Sequence, residues 1–252
     1  MHPVRTLLAT AIALTLFAGS VGAVVVREEH VTNGVTTDLP WLTGFNTDRR
    51  LEALTLDASH PAYANPSGDH TVATLTTAIP DSGGLALSTI DPLGQADYTW
   101  EGWVNMGNGD SRRGLVLRAD YASNFSNGYV FVIYSGLGQI QFRKLAGQTP
   151  TSLRAWLTGS LPGGVPAQNS WHYMKVEALA NQFRCWWDNT ELTAGNPIID
   201  ANGPYLTGFV GTYNFNFTVG GITAMFDDLK LSTENVVPAQ NTTWGRLKSL
   251  YR

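Results

Sequence analysis

Two predicted strands place a tryptophan beside a charged residue on the face opposite to their apolar positions. On one strand these residues are Glu101 and Trp103, and on the other they are Arg184 and Trp186. An outward tryptophan exposes apolar surface, which usually marks a site of interaction. A flat aromatic ring next to a group that bonds hydroxyls is suited to a sugar. The pattern therefore predicts a ligand-binding surface, unless a loop covers the rings or the register is shifted by one residue.

Arg118 and Asp120 lie on a third predicted strand, also on the side opposite to its apolar residues. Together with Glu101 they are candidates for the polar groups of a hydrolytic or ligand-binding site. A retaining glycosidase needs two carboxyl groups about 5–5.5 Å apart. The Glu-x-Asp-x-Glu triplet that would place them on one strand face does not occur in the sequence. These residues are therefore better explained as binding or solvated positions than as a catalytic set.

Asp227 shares the parity of Leu229 and Leu231, so simple alternation predicts that it points into the core. An inward carboxylate must be paired, accept several N–H hydrogen bonds or bind a cation. The residues leave open whether Asp227 holds a metal ion or caps backbone N–H groups at a strand end. The histidines form no cluster and there is a single cysteine, so a zinc or iron site is not expected.

These positions depend on strands, because no helical period follows the first 23 residues. Short β-rich segments recur, separated by Gly, Pro, Asn and Asp. The predicted strands are 70–79, 83–89, 98–106, 114–120, 128–135, 139–146, 151–158, 171–179, 182–188, 208–215 and 224–232. Ten or more strands without an amphipathic helix predict an all-β sandwich of two antiparallel sheets.

The composition narrows the class of protein. The chain has 252 residues, of which 43% are hydrophobic and 14% charged, and its net charge is −4. This length and apolar content are sufficient for one large core. A nucleic-acid-binding protein would be expected to show a basic face, and none is visible in the sequence. The single cysteine, Cys185, excludes an internal disulfide and is expected to be buried and unreactive.

Residues 1–23 are predicted to be a signal peptide. Arg5 precedes the uncharged apolar run 7–18, and small residues at 21–23 are suited to cleavage. The alternative is an uncleaved anchor, because the uncharged run continues through Val26. Cleavage would leave no membrane span, and the expected location is secreted or extracytoplasmic, at the cell surface or in the periplasm.

The remaining chain divides into two parts. Residues 24–235 are predicted to form the sandwich, and residues 236–252 a linker followed by a short basic amphipathic helix. Because such a short helix is not stable alone, it is expected to dock on the sandwich or on a sorting or surface partner.

Five segments carry a resemblance to a known superfamily. They are 98–118, 170–177, 181–189, 208–213 and 226–231. In order and spacing they resemble the central pair, a hairpin and the closing strands of concanavalin A-like sandwiches. Laminin-G-like domains and the bacterial domains related to 3-keto-glycoside hydrolases carry this pattern. The resemblance implies a jelly roll in an exported bacterial protein.

The same resemblance implies a carbohydrate- or cell-surface-glycan-binding module without catalysis. Two alternatives are a glycoside-processing enzyme of the 3-keto-glycoside hydrolase type and a structural or adhesive protein-binding domain. The resemblance also implies a structural Ca²⁺ ion at Asp227, with Asp38, Asn46 and Asp48 as further oxygen donors of the kind this cation prefers.

Overall fold

The computed structural model describes residues 24–43, 51–77, 82–88, 97–107, 110–120, 127–147, 149–217 and 222–233. The predicted signal peptide and C-terminal tail, and Asp48, lie outside these residues. In the part of the chain so described, no helix has the length and apolar character needed to cross a membrane.

The described residues form β-strands and two short 3-10 turns. The strands are β1 (Val24–Glu29), β2 (Trp41–Thr43), β3 (Glu52–Thr55), β4 (Thr71–Thr77), β5 (Ser82–Ser88), β6 (Tyr98–Asn105), β7 (Ser111–Ala119), β8 (Gly128–Tyr134), β9 (Gln139–Ala146), β10 (Thr149–Leu157), β11 (Trp171–Leu179), β12 (Gln182–Trp187), β13 (Thr190–Glu191), β14 (Ile198–Ile199), β15 (Phe209–Asn216) and β16 (Ile222–Thr233). The predicted strands are confirmed, and five strands that were not predicted, β1, β2, β3, β13 and β14, are added.

These strands form two sheets in which the pairings are antiparallel. The nine-stranded sheet has the order β13-β12-β11-β6-β16-β4-β3, with β1 also paired to β16 and β14 to β12. The seven-stranded sheet has the order β10-β9-β8-β7-β15-β5-β2. The predicted sandwich of two antiparallel sheets is confirmed.

Strand alternation accounts for the core between the sheets. In β8, Tyr129 and Phe131 belong to the main core cluster, whereas Val130 and Val132 belong to a separate cluster on the outer face. Cys185 is completely buried in the main core, and burial raises the pKa of its thiol. The prediction of a buried cysteine is therefore confirmed.

A β-bulge in β7 overturns one predicted face. Leu117 and Arg118 together oppose the single residue Val210 of β15, and Arg118 has a left-handed φ of 51°. The extra residue turns the side chain of Arg118 inward, where it is completely buried. There it donates hydrogen bonds to the carbonyls of Ala180 (2.5 Å) and Tyr205 (2.8 Å). The predicted outward position of Arg118 is wrong.

A second bulge in β16 changes the position of Asp227. Asp228, with a φ of 47°, and Leu229 together oppose Gly102 of β6. Asp227 pairs with Trp103 and therefore lies on the outer face of the nine-stranded sheet, not toward the core. The predicted inward parity is wrong, although the side chain is only 3% exposed.

Candidate functional site

The residues predicted to bind a ligand lie in three different places. Four of them lie on the outer face of the nine-stranded sheet: Glu101, Trp103, Arg184 and Trp186. Arg118 is in the core, and Asp120 ends β7 in the other sheet. The carboxylate of Asp120 accepts a hydrogen bond from Asn127 Nδ2 at 3.4 Å. The structure thus brings four of these residues to one surface and separates the other two from it.

Charged groups on this outer face already have partners within the sheet. Glu101 forms an ion pair with Lys230 at 3.0 Å. The ammonium of Lys175 lies 2.7 Å from the carboxylate of Glu177 and 4.4 Å from the ring centre of Trp186. Cross-strand pairs of opposite charge are common on solvated sheet faces. These groups therefore do not need a ligand to satisfy them.

The ring of Trp103 is also covered in part. It packs against Tyr173, with ring centres 5.4 Å apart and the planes tilted by 58°. Burial and a hydrogen bond to Glu101 raise the pKa of Tyr173, so its hydroxyl stays protonated. Ligand contact by Trp103 and Trp186 stays a prediction.

Asp227, the predicted calcium ligand, is bonded by a neighbouring loop. Its Oδ2 accepts hydrogen bonds from Asn65 Nδ2 (3.0 Å), from the backbone N–H of Ser67 (3.1 Å) and from the Ser67 hydroxyl (3.0 Å). Burial raises the pKa of Asp227 to about 6, the charges of Asp228 and Asp69 act in the same direction, and the hydrogen bonds from Ser67 oppose them. One of these three donors is a backbone N–H, as in the capping alternative that the sequence left open, but Asp227 lies within β16 and not at a strand end.

Asp38 does not contact Asp227 through any of its hydrogen bonds. It accepts hydrogen bonds from the hydroxyl of Thr32 (2.7 Å) and the backbone N–H of His30 (3.0 Å). The His30 ring in turn lies 2.7 Å from Asp228. Among the described residues, no group of three or more His, Cys, Asp or Glu side chains is arranged to hold a metal ion. The calcium site stays a prediction.

A second surface lies on the outer face of the seven-stranded sheet. We call it the aromatic–arginine surface, and its residues are Arg112, Tyr134, Gln141, Arg143, Tyr213, Phe215 and Phe217. The guanidinium carbon of Arg112 lies 4.4 Å from the ring centre of Tyr134 and 4.8 Å from that of Phe217. The two rings stack 4.7 Å apart, and Phe217 also contacts Phe215 at 4.8 Å. The three rings and the guanidinium form one continuous aromatic platform.

Three buried polar atoms of this surface have no hydrogen-bond partner among the described residues. They are Arg112 Nε, Gln141 Oε1 and Arg143 Nε. Gln141 uses its amide nitrogen to donate to Gln139 Oε1 at 2.9 Å, and Arg143 donates through Nη2 to the carbonyl of Pro150 at 3.4 Å. Buried polar atoms are nearly always paired. These three atoms each have less than 1 Å² of accessible surface, so they do not themselves present hydrogen-bonding groups to a ligand on this surface.

Arg112, Arg143 and Tyr213 of this surface influence one another electrostatically. Burial lowers the pKa of Arg143, and the positive charge of Arg112 lowers it further. Burial raises the pKa of Tyr213 to about 12, although both guanidinium groups oppose this. The three side chains therefore lie within electrostatic range of one another on the outer face of this sheet.

Gly114 lies in the middle of this face and has no side chain. It is paired with Val132 on one side and Tyr213 on the other, within the row that contains Gln141. A Cβ at this position would lie 2.0 Å from the carbonyl oxygen of Phe131, so only glycine fits. The side-chain layer of this face is consequently interrupted beside the groups that lack partners.

A pocket of about 260 Å³ at one end of the sandwich gives little support for glycoside hydrolysis. It is lined by Met106, Gly107 and Asp110 together with residues of the segments 133–138 and 165–168. Asp110 is the one carboxylate among these lining residues, whereas hydrolysis by the usual mechanism needs two.

Ser170, His172 and Asp188, near this pocket, are connected in the order of a serine hydrolase triad. His172 Nδ1 lies 2.6 Å from Asp188 Oδ2, and its Nε2 lies 2.7 Å from Ser170 Oγ. The Ser170 hydroxyl, however, donates to the carbonyl of Ala167 at 2.6 Å. Its proton is therefore not directed at the imidazole, as a serine nucleophile requires. We interpret the three side chains as a structural link between β11 and β12.

The aromatic–arginine surface was missed because its residues come from the consecutive strands β7, β8 and β9 and from β15 with the adjoining Phe217, which are distant from them in sequence. Alternation within β7, β9 and β15 places Arg112, Arg143 and Tyr213 each on one face of its own strand. Only the order β9-β8-β7-β15 shows that these faces are the same one. The usable signal in the sequence is the absence of Asp and Glu from these strands.

Comparison with known proteins supports the fold. The chain is similar to the carbohydrate-binding module CBM66 from Bacillus subtilis, with a TM-score of 0.54, 17% identity and coverage of 78% of this chain and 98% of that chain. It is similar to domain 4 of a GH43 extracellular arabinanase from Geobacillus stearothermophilus in complex with arabinotriose (TM-score 0.50, 8% identity, 84% and 93% covered). It is also similar to the β-glucanase of Bacillus licheniformis (TM-score 0.50, 13% identity, 84% and 98% covered). No family model and no curated protein matches it. The chain thus has a concanavalin A-like jelly-roll fold.

Proposed function

We propose that the protein is an exported carbohydrate-binding module without catalysis of its own, and that its aromatic–arginine surface holds the sugar. The observation that carries this proposal is the aromatic platform of Tyr134, Phe215 and Phe217 beside the guanidinium of Arg112. Export rests on the predicted signal peptide at residues 1–23.

The chemistry of the surface fits a sugar. Pyranose and furanose rings have apolar C–H faces that pack on aromatic rings, and here the stacked Tyr134 and Phe217 provide such a platform. The guanidinium groups of Arg112 and Arg143 can donate hydrogen bonds to the hydroxyls of a sugar that packs on this platform. The arabinotriose held by the similar arabinanase domain supports an oligosaccharide as the ligand class.

A glycan array probed with residues 24–252 tests the proposal. The variant Phe217→Ala removes part of the platform and is expected to weaken binding about 5- to 150-fold, the equivalent of about 1–3 kcal/mol for a stacked aromatic ring. Trp186→Ala is the matched control, because it removes a half-buried ring from the other sheet.

The two predicted surfaces give opposite results in this experiment. Loss of binding in the Trp186→Ala variant and not in Phe217→Ala would place the ligand on the outer face of the nine-stranded sheet. Absence of binding to every glycan would overturn the proposed function. A hydrolysis assay on the same glycans is expected to show no product, and product formation would favour the glycoside-processing alternative.

A further inference from the structure

Charge is distributed unequally between the two sheets. The strands of the seven-stranded sheet contain no Asp or Glu, and their six cationic residues are Arg112, Arg113, Arg118, Arg143, Lys144 and Arg154. The nine-stranded sheet has the acidic residues Glu28, Glu29, Glu52, Glu101, Glu177, Glu191, Asp227 and Asp228. Although the net charge of the chain is −4, the strands of the seven-stranded sheet carry cationic residues and no acidic ones.

Only two of the six cations face outward on the aromatic–arginine surface. Arg118 is buried in the core, and Arg113 is only 2% exposed. Lys144 forms an ion pair with Asp200 at 2.7 Å. Arg154 pairs with the core residue Phe142 and donates a hydrogen bond to the carbonyl of Asn196 at 3.0 Å. Arg112 and Arg143 have no carboxylate partner among the described residues.

The two outward arginines repel each other and lack an internal counter-charge. Two partly buried like charges are unfavourable unless an opposite charge is bound nearby. Their neighbours on this face are uncharged: Tyr134 of β8, Gln141 of β9 and Tyr213 of β15. Anionic groups bound at Arg112 and at Arg143 would supply the missing counter-charge and accept hydrogen bonds from the two guanidinium groups. Guanidinium groups bind carboxylate and sulfate oxygens through paired N–H donors.

We propose that the aromatic–arginine surface recognises an anionic polysaccharide, whose carboxylate or sulfate groups bind Arg112 and Arg143 while a sugar ring packs on the aromatic platform. This proposal rests on the proposed carbohydrate-binding function and specifies its ligand class. Because the net charge of the protein is −4, its overall charge does not attract polyanions. Binding of an anionic polysaccharide would therefore depend on these local arginines.

The test compares polygalacturonate with the same polymer after reduction of its carboxyl groups, with dextran sulfate and unmodified dextran as the sulfate pair. Calorimetric titrations use residues 24–252. We expect at least one anionic polymer to bind at least 10-fold more tightly than its neutral counterpart, with an affinity that falls as salt concentration rises. The polymer that shows the preference identifies the anionic group.

Arg112→Gln and Arg143→Gln are each expected to reduce binding of the anionic polymer at least 10-fold. Arg143→Lys, which keeps the charge and loses the planar fork, is expected to have a smaller effect. Arg154→Gln is the matched control, because it makes the same change of charge in the same sheet at a residue outside the aromatic–arginine surface, whose guanidinium donates to the carbonyl of Asn196. Melting curves confirm that each variant is folded.

The outcomes separate the two proposals. Equal affinity for anionic and neutral polymers would overturn the anionic ligand class and leave carbohydrate binding intact. An effect of Arg154→Gln as large as that of Arg112→Gln would mean that the preference reflects non-specific charge and would also overturn the inference. If the anionic pairs fail to bind while neutral glycans bind on the array, only this inference fails. If nothing binds in either experiment, both proposals fail.

Discussion

The raised pKa of Asp227 makes stability depend on pH in a direction opposite to that of most carboxylates. Folding raises this pKa from its ordinary value of 3.8 to about 6 because the side chain is buried, at 3% exposure, beside Asp69 and Asp228. Between pH 3.8 and pH 6 the Asp227 carboxyl therefore keeps its proton in the folded state, whereas it has lost that proton in the unfolded state. The contribution of this proton to the free energy of unfolding is fully present below pH 3.8, declines as the pH rises to about 6, and is absent above it.

The magnitude follows from the shift. One pKa unit corresponds to about 1.4 kcal/mol, so ionising Asp227 lowers the free energy of unfolding by at most about 3 kcal/mol between pH 4 and pH 7. Asp227→Asn keeps an oxygen for the hydrogen bonds from Asn65 and Ser67 and carries no charge at any pH. We expect this variant to match the wild type near pH 4 and to be about 2–3 kcal/mol more stable at pH 7 without calcium.

Urea denaturation of both proteins at pH 4 to 8, with chelator and with millimolar Ca²⁺, measures this difference. Subtracting the variant's curve removes the contribution of other titrating groups, among them His30, whose contacts do not change. If Ca²⁺ binds the ionised carboxylate, it stabilises the wild type at pH 7 and not the variant. A variant that is less stable than the wild type at pH 7 in chelator would refute the reasoning about burial and like charges. Equal responses to Ca²⁺ would remove the predicted calcium site.

Two further predictions concern neighbouring side chains in the fold. Trp187→Ala should lower the free energy of unfolding by about 3–5 kcal/mol, because this ring is only 2% exposed. Trp186→Ala should lower it by less than about 1 kcal/mol, because this ring is only half-buried. If chemical denaturation gives the reverse order, the register of β12 is wrong by one residue. Arg118→Met should lower the free energy of unfolding by about 2–4 kcal/mol, because the carbonyls of Ala180 and Tyr205 lose the guanidinium donors. A variant as stable as the wild type would mean that these buried hydrogen bonds do not stabilise the fold.

The sequence predicts the fold well because alternation is preserved along most strands. In β12, Phe183, Cys185 and Trp187 are buried as predicted, and Trp186 faces the other way. The three strands nearest the N-terminus, β1 to β3, were missed because they are short or carry charged residues among the apolar ones. Pairing to β16, β5 and β4 makes them strands, and such pairing is not visible in a local pattern.

The candidate site was less predictable because its position depends on bulges and on strand order. Arg118 and Asp228 adopt left-handed conformations at bulges without the glycine that often marks such positions. Each bulge reverses the face of the residues beyond it, so alternation gave the wrong face for Arg118 and for Asp227. The aromatic–arginine surface requires in addition that β7, β9 and β15 be known to lie in one sheet.

The central claim, that a sugar binds across the seven-stranded sheet, is tested most directly by amide chemical-shift mapping. Isotope-labelled residues 24–252 are titrated with trigalacturonate and, separately, with arabinotriose. We predict the largest shifts at the amides of Gly114, Tyr213 and Phe217 and at the side-chain N–H groups of Arg112 and Arg143. Shifts confined to the indole of Trp186 and its neighbours on the nine-stranded sheet would contradict the account.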